Sequence, residues 1–114
     1  MPPTTVIEDD SSPNVEEGNT FDPAQDGLDF DEPLESMLVQ VNDPVVVGPR
    51  NGFGEILVLG DDGAGASVRT ARGGVIVRPA DFNPERVMLD DLILPTPSVD
   101  VGDHFATSAV GVLT

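Results

Sequence analysis

Met37-Leu38-Val39-Gln40-Val41-Asn42-Asp43-Pro44-Val45-Val46-Val47 is the stretch on which the fold turns. Met37, Val39 and Val41 alternate with Leu38, Gln40 and Asn42, a period of two that belongs to a strand. The β-branched run resumes the pattern after Asp43-Pro44, so one long strand is expected, interrupted or bulged at the proline. Downstream, residues 48–54 form a turn-rich loop and Glu55-Ile56-Leu57-Val58-Leu59 a second strand. The Asp62-Gly63 step suits a hairpin with positive φ. Short strands are expected at residues 67–70 and 75–78, around Gly73-Gly74, with another at residues 86–89 and a last one within residues 104–113. Composition agrees, since 16 Val against 9 Leu, with 12 Gly and 11 Pro, favours short strands and tight turns over a helical bundle. The expectation is an all-β fold, a small barrel or sandwich over residues 36–114.

The flanks are less regular. Residues 1–35 hold 11 of the 21 acidic residues and no base, so they read as an acidic extended arm. At the other end, the final strand pattern reaches Thr114 without a turn or polar tail. A barrel is closed by its last strand, so the expectation is a module lacking at least one strand that would pair with residues 105–113.

With 21 acidic residues against 5 arginines and no lysine, the formal net charge is −16. Such a chain binds nucleic acid poorly on its own, because that affinity comes from cations displacing counterions from phosphates. An anionic membrane surface is disfavoured by the same repulsion, and no apolar run is long enough to span a bilayer. Catalytic groups are scarce: His104 is the sole imidazole, and Cys, Tyr, Trp and Lys are absent. A Ser-His-Asp set would have to use His104 and Asp103, yet no nucleophile elbow is present. Gly60-Asp61-Asp62-Gly63-Ala64-Gly65 places carboxylates where a phosphate loop needs bare amides, so it reads as a turn. No catalytic residue is assigned.

Two constellations retain chemical meaning. Asp26, Asp29 and Asp31, beside the turn Gly27, offer hard oxygens of the kind Ca²⁺ takes from loops, although the spacing is not that of an EF-hand. The alternative is a solvated acidic surface. All five arginines fall between residues 50 and 86, among five acids. Arg69, Arg72 and Arg78 could share a sheet face along a phosphate backbone, or instead form arginine–carboxylate pairs.

The sequence also resembles a known family. Phe21-Asp22-Pro23-Ala24-Gln25-Asp26-Gly27-Leu28-Asp29-Phe30, residues 34–43, Asn51-Gly52-Phe53-Gly54-Glu55-Ile56, residues 63–74 and residues 78–86 are similar to the OB-like domain of ExeM/NucH-type extracellular endonucleases. Val101-Gly102-Asp103 and Gly111-Val112-Leu113 look like that domain's penultimate hairpin. The family tends to carry an aromatic near Asp31 and Gly where Ser36 stands. The resemblance implies a noncatalytic OB-like module of a secreted bacterial nuclease, placing nucleic acid for a downstream catalytic domain that uses Mg²⁺ or Mn²⁺. It also implies an extracellular location as part of a longer precursor. In that reading Arg69, Arg72 and Arg78 contact phosphate. The alternative is a structural or Ca²⁺-stabilised module of a large extracellular protein with no nucleic-acid role.

Overall fold

A computed structural model describes residues 2–10 and 20–114. The part of the acidic arm that contains Glu16 and Glu17 lies outside the described residues. Five strands form two small antiparallel sheets. β1 (Leu38–Val41) pairs with β5 (Ala109–Val112), and β2 (Val45–Val46), β3 (Ile56–Leu59) and β4 (Val87–Leu89) form the second sheet in that order. The chain is thus a small β-rich domain with one short helix, α1 (Gly27–Asp31), and no closed barrel among the described residues.

The expected interruption at Asp43-Pro44 is the corner between the sheets. Asp43 takes φ 41°, and the chain leaves β1 in one sheet to enter β2 in the other. A returning segment follows both: Val41 faces Ala109, and further on Val45 bridges His104. Four residues separate the first pair on one side and five on the other, so the ladder slips by one residue at the corner, as a bulge does. Bonds from Val46 N to Asp103 O (2.8 Å), Gly102 N to Val46 O (2.8 Å) and Phe105 N to Pro44 O (3.1 Å) continue the ladder along β2. Residues 109–112 thereby find a partner in β1.

Alternation along β2 and β3 buries both faces of the second sheet. Val45, Val47 and Leu59 pack on one side with Leu57, Ala66 and Val75. Val46, Ile56 and Val58 pack on the other, covered by Val41, Val87, Leu89, Val99 and Phe105. Two expected strands are not formed. Residues 67–70 and 75–78 make only the isolated bridges Arg69–Val75 and Arg78–Asp81, because the tight turn at Gly73 (φ 93°) and the turn at Pro79-Ala80 leave no room for a ladder. The Asp62-Gly63 step makes a single 3₁₀ turn, Asp61–Gly63, in place of a two-residue hairpin loop. Past β4, Leu92, Ile93 and Leu94 stand exposed on a segment with no regular structure.

The arm is more structured than its charge suggests. Residues 27–31 form α1, and a 3₁₀ turn, Glu32–Leu34, follows with Pro33 in its first turn. Ser36 then adopts φ 66°, in the left-handed region that favours glycine. Residues near the N-terminus dock against this unit through a parallel bridge between Val6 and Asp26.

Candidate functional site

The carboxylate site is assembled from two distant stretches. Asp26 N donates to Asp22 O (3.0 Å) and Phe30 N to Asp26 O (3.0 Å), which starts α1 at Asp26. Gly27 N and Leu28 N would be orphan donors at the helix start, and they bond instead to Val6 O (3.1 Å) and Ile7 O (3.0 Å). Phe82 N donates to Thr5 O (2.9 Å), fixing the N-terminal segment from its other side. Gly27 permits this convergence, since a Cβ there would lie 2.5 Å from Pro84 Cβ.

The result places Glu8 beside Asp26 and Asp29, with one carboxylate oxygen of each within 4.8 Å of the others. Asp26 and Asp29 are buried and Glu8 is half-buried. Asp29 Oδ2 accepts from Asp22 N at 2.6 Å, and Glu8 Oε1 accepts from Asp10 N at 3.0 Å. Asp26 Oδ1 is sealed from solvent and accepts nothing from the described residues. Burial, followed by the charges of Asp9, Glu8, Asp29 and Asp22, pushes the Asp26 carboxyl above its ordinary value. Glu8 also groups with Asp9 and Asp10, so it belongs to two carboxylate trios. A carboxylate group of this kind demands protons or a cation.

Of the acids read from the sequence, Asp26 and Asp29 meet here, whereas Asp31 is exposed and outside the cluster. On a helix, residues three apart share a face, and a further step of two turns the side chain away. Glu8, which the sequence reading did not select, completes the group. Its only advance signal is the run Glu8-Asp9-Asp10.

Four of the five arginines are engaged by other groups of the chain. Arg69 Nη2 and Nε donate to Gly73 O (2.7 and 3.2 Å), and Nη1 donates to Asp62 O (3.3 Å). Arg78 Nη2 pairs with Asp81 Oδ2 at 3.0 Å. Asp81 also accepts from the Ser67 hydroxyl, and these two bonds, the Ser67 one foremost, hold its carboxyl below the usual range despite burial. Arg72 is exposed and has no polar partner among the described residues. Arg50 donates to Thr96 Oγ1 (2.9 Å), and Arg86 donates to Asn83 O (3.1 Å). His104 Nδ1 lies 3.2 Å from Asp62 Oδ1 on the exposed surface.

A family model described as a domain of unknown function (DUF8508) matches residues 1–114. The chain belongs to this family. The match spans both the N-terminal segment that supplies Glu8 and the start of α1, which supplies Asp26 and Asp29. No curated protein and no solved structure matches the chain.

Proposed function

We propose that this chain is a noncatalytic β module of an extracellular protein, stabilised by Ca²⁺ held at Glu8, Asp26 and Asp29. The observation that carries the reading is the buried, unpartnered Asp26 Oδ1 inside a group of carboxylates with no base beside it. Ca²⁺ bonds oxygens at about 2.4 Å, so oxygens on opposite sides of one ion lie about 4.8 Å apart, and the oxygens of this group all lie within 4.8 Å of one another. Three carboxylates supply at most six oxygens and no preformed closing loop. That places affinity at the weak end, a Kd of about 10⁻⁴ M, suited to the calcium-rich medium outside cells. The lone exposed imidazole and the absence of Cys, Lys and Tyr support a role without catalysis.

The test is thermal melting with EDTA or with CaCl₂, MgCl₂ or NaCl at matched ionic strength. At 10 mM Ca²⁺, about 100 times that Kd, linkage predicts about 2.7 kcal/mol of stabilisation, or about 10 °C in Tm for a domain of this size. Asp26→Asn is expected to melt higher than the parent in EDTA and to lose the Ca²⁺ response. Equal shifts from NaCl and CaCl₂ would reduce the effect to screening of the net charge and sink the reading.

A second reading follows the resemblance: an OB-like module of a secreted nuclease that places nucleic acid for a downstream domain. Exposed, unpartnered Arg72 favours it, and the bulged ladder joining the two sheets supports the OB-like comparison. It predicts salt-sensitive DNA binding that Arg72→Ala weakens. No DNA binding at low salt, with or without Ca²⁺, would remove this reading and leave the first standing.

A further inference from the structure

The outer side of β5 is an open edge among the described residues. Leu113 N donates to Met37 O (3.1 Å) and Ser36 N to Leu113 O (2.8 Å), so Leu113 turns its backbone toward β1. In an antiparallel ladder, successive residues turn their N–H and C=O groups to alternate sides. Ala109 and Gly111 therefore bond β1, whereas Val110 and Val112 present their backbone groups outward, where no third described strand joins the sheet.

Such an edge is a template for another strand, and proteins usually guard it with charge, proline or a bulge. β4 also ends a sheet, and Asp90 and Asp91 follow it directly. β5 has no such guard: His104 to Thr114 contain no acid, no arginine and no proline. Its neighbour β1 lies in a second stretch free of charge, Ser36 to Asn42. In a chain of net charge −16, the two-stranded sheet is thus built from uncharged residues alone. The Val110 and Val112 side chains are exposed as well, on the face that also carries Leu38, directly across from Val112.

Charge also selects the occupant. A cationic partner would meet no carboxylate along this strand, and an acidic one gains nothing from it either. A neutral strand matches it, and β5 itself is one. Antiparallel pairing of β5 with β5 about a two-fold axis at Gly111 sets Val110 of each copy against Val112 of the other, so each valine gains an apolar cross-strand neighbour. Acids stand only near one end of the edge, where Glu8, Glu32 and Glu35 share a pocket with Leu113 and Thr114.

We infer that β5 is the docking edge for a second copy of this chain, joining two two-stranded sheets into one sheet of four strands. The contact uses neither the carboxylates of the Ca²⁺ reading as ligands nor the arginines of the nucleic-acid reading, so it stands or falls independently of both.

Four residues a side make a small interface, so the dimer is expected to be weak, with a Kd of about 10⁻⁴ M. The test is sedimentation equilibrium of the full chain at saturating Ca²⁺ from about 10 µM to about 1 mM, across which that Kd carries the average mass from near one copy toward two. Hydrogen exchange at the Val110 and Val112 amides should slow about fourfold over the same range. Raising NaCl from about 50 mM to about 500 mM screens the repulsion between acidic copies and should tighten the dimer at least twofold. Val110→Pro removes an N–H that β1 does not use, and Val110→Lys places a charge on the edge. Both variants are expected to stay monomeric throughout, with the parent's circular dichroism. A dimer that survives both substitutions, or one that salt dissociates, would overturn the inference. So would a parent that stays monomeric at the top of the range, which would leave the edge to a strand of a different protein.

Discussion

Replacing Arg69 with alanine decides whether this side chain is a phosphate contact or a clamp between loops. Its guanidinium makes one close bond to Gly73 O (2.7 Å) and two longer ones, to Gly73 O (3.2 Å) and Asp62 O (3.3 Å). Counting the close charge-assisted bond at about 1.5 kcal/mol and each longer one at about 0.5 gives a loss of about 2.5 kcal/mol. For a domain of this size that corresponds to a fall of about 10 °C in Tm. Arg69→Lys keeps the charge but replaces the planar fork with a point charge, so about half the loss is expected. Arg72→Ala removes an exposed side chain with no partner among the described residues, and Tm is expected to stay within about 2 °C. The assay is differential scanning calorimetry of the three variants and the parent at saturating Ca²⁺, with circular dichroism as a check on fold. An Arg69→Ala protein that melts with the parent would refute the clamp.

Four further outcomes are expected. Asp26 and Glu85 have folded-state values raised above 3.8 and 4.5, so the stability they contribute is complete below those values and lost as pH rises through the folded ones. In EDTA, Tm should therefore rise as pH falls from neutral toward those ordinary values, a rise that Asp26→Asn with Glu85→Gln flattens. Asp81 acts in reverse: its lowered value gives stability at neutral pH that disappears only as pH falls through that value, below 3.8, so the melting curve turns down there. Ile56→Ala, at a fully buried β3 position in the cluster that β2, β3 and β4 share, should cost about 2–5 kcal/mol in urea unfolding. Gly27→Ala drives a methyl into Pro84 and should lower both Tm, by about 1–3 kcal/mol of stability, and the Ca²⁺ response together.

What could be read from the chain follows how local its physics is. The alternation at residues 37–41 and the run at 45–47 revealed β1 and β2, and Pro44 marked the corner, because strand period and proline geometry are properties of a few consecutive residues. That the corner moves the chain between sheets depends on residues 102–112, far away in sequence. The helix at 27–31 was hidden by charge density, since its stability comes from docking with residues 6 and 7 more than from propensity. The same docking brings in Glu8. Clustering of arginines in sequence suggested a shared surface, but the carbonyl oxygens that engage Arg69 and Arg86 leave no pattern in the side-chain sequence. Glu85 gave no signal at all, because its significance lies wholly in what fails to surround it.

The bare Leu92-Ile93-Leu94 segment is an exposed apolar strip flanked by charge and proline. Together with β4 it would make a hydrophobic window rich enough in strand-forming residues to stack between molecules. Asp90 and Asp91 split that window, and Pro95 and Pro97 terminate it with residues that cannot donate to a ladder. These four residues stand where gatekeepers against strand stacking stand, and replacing Asp90 and Asp91 with Asn and Pro95 with Ala is expected to speed fibril growth, read by thioflavin T fluorescence.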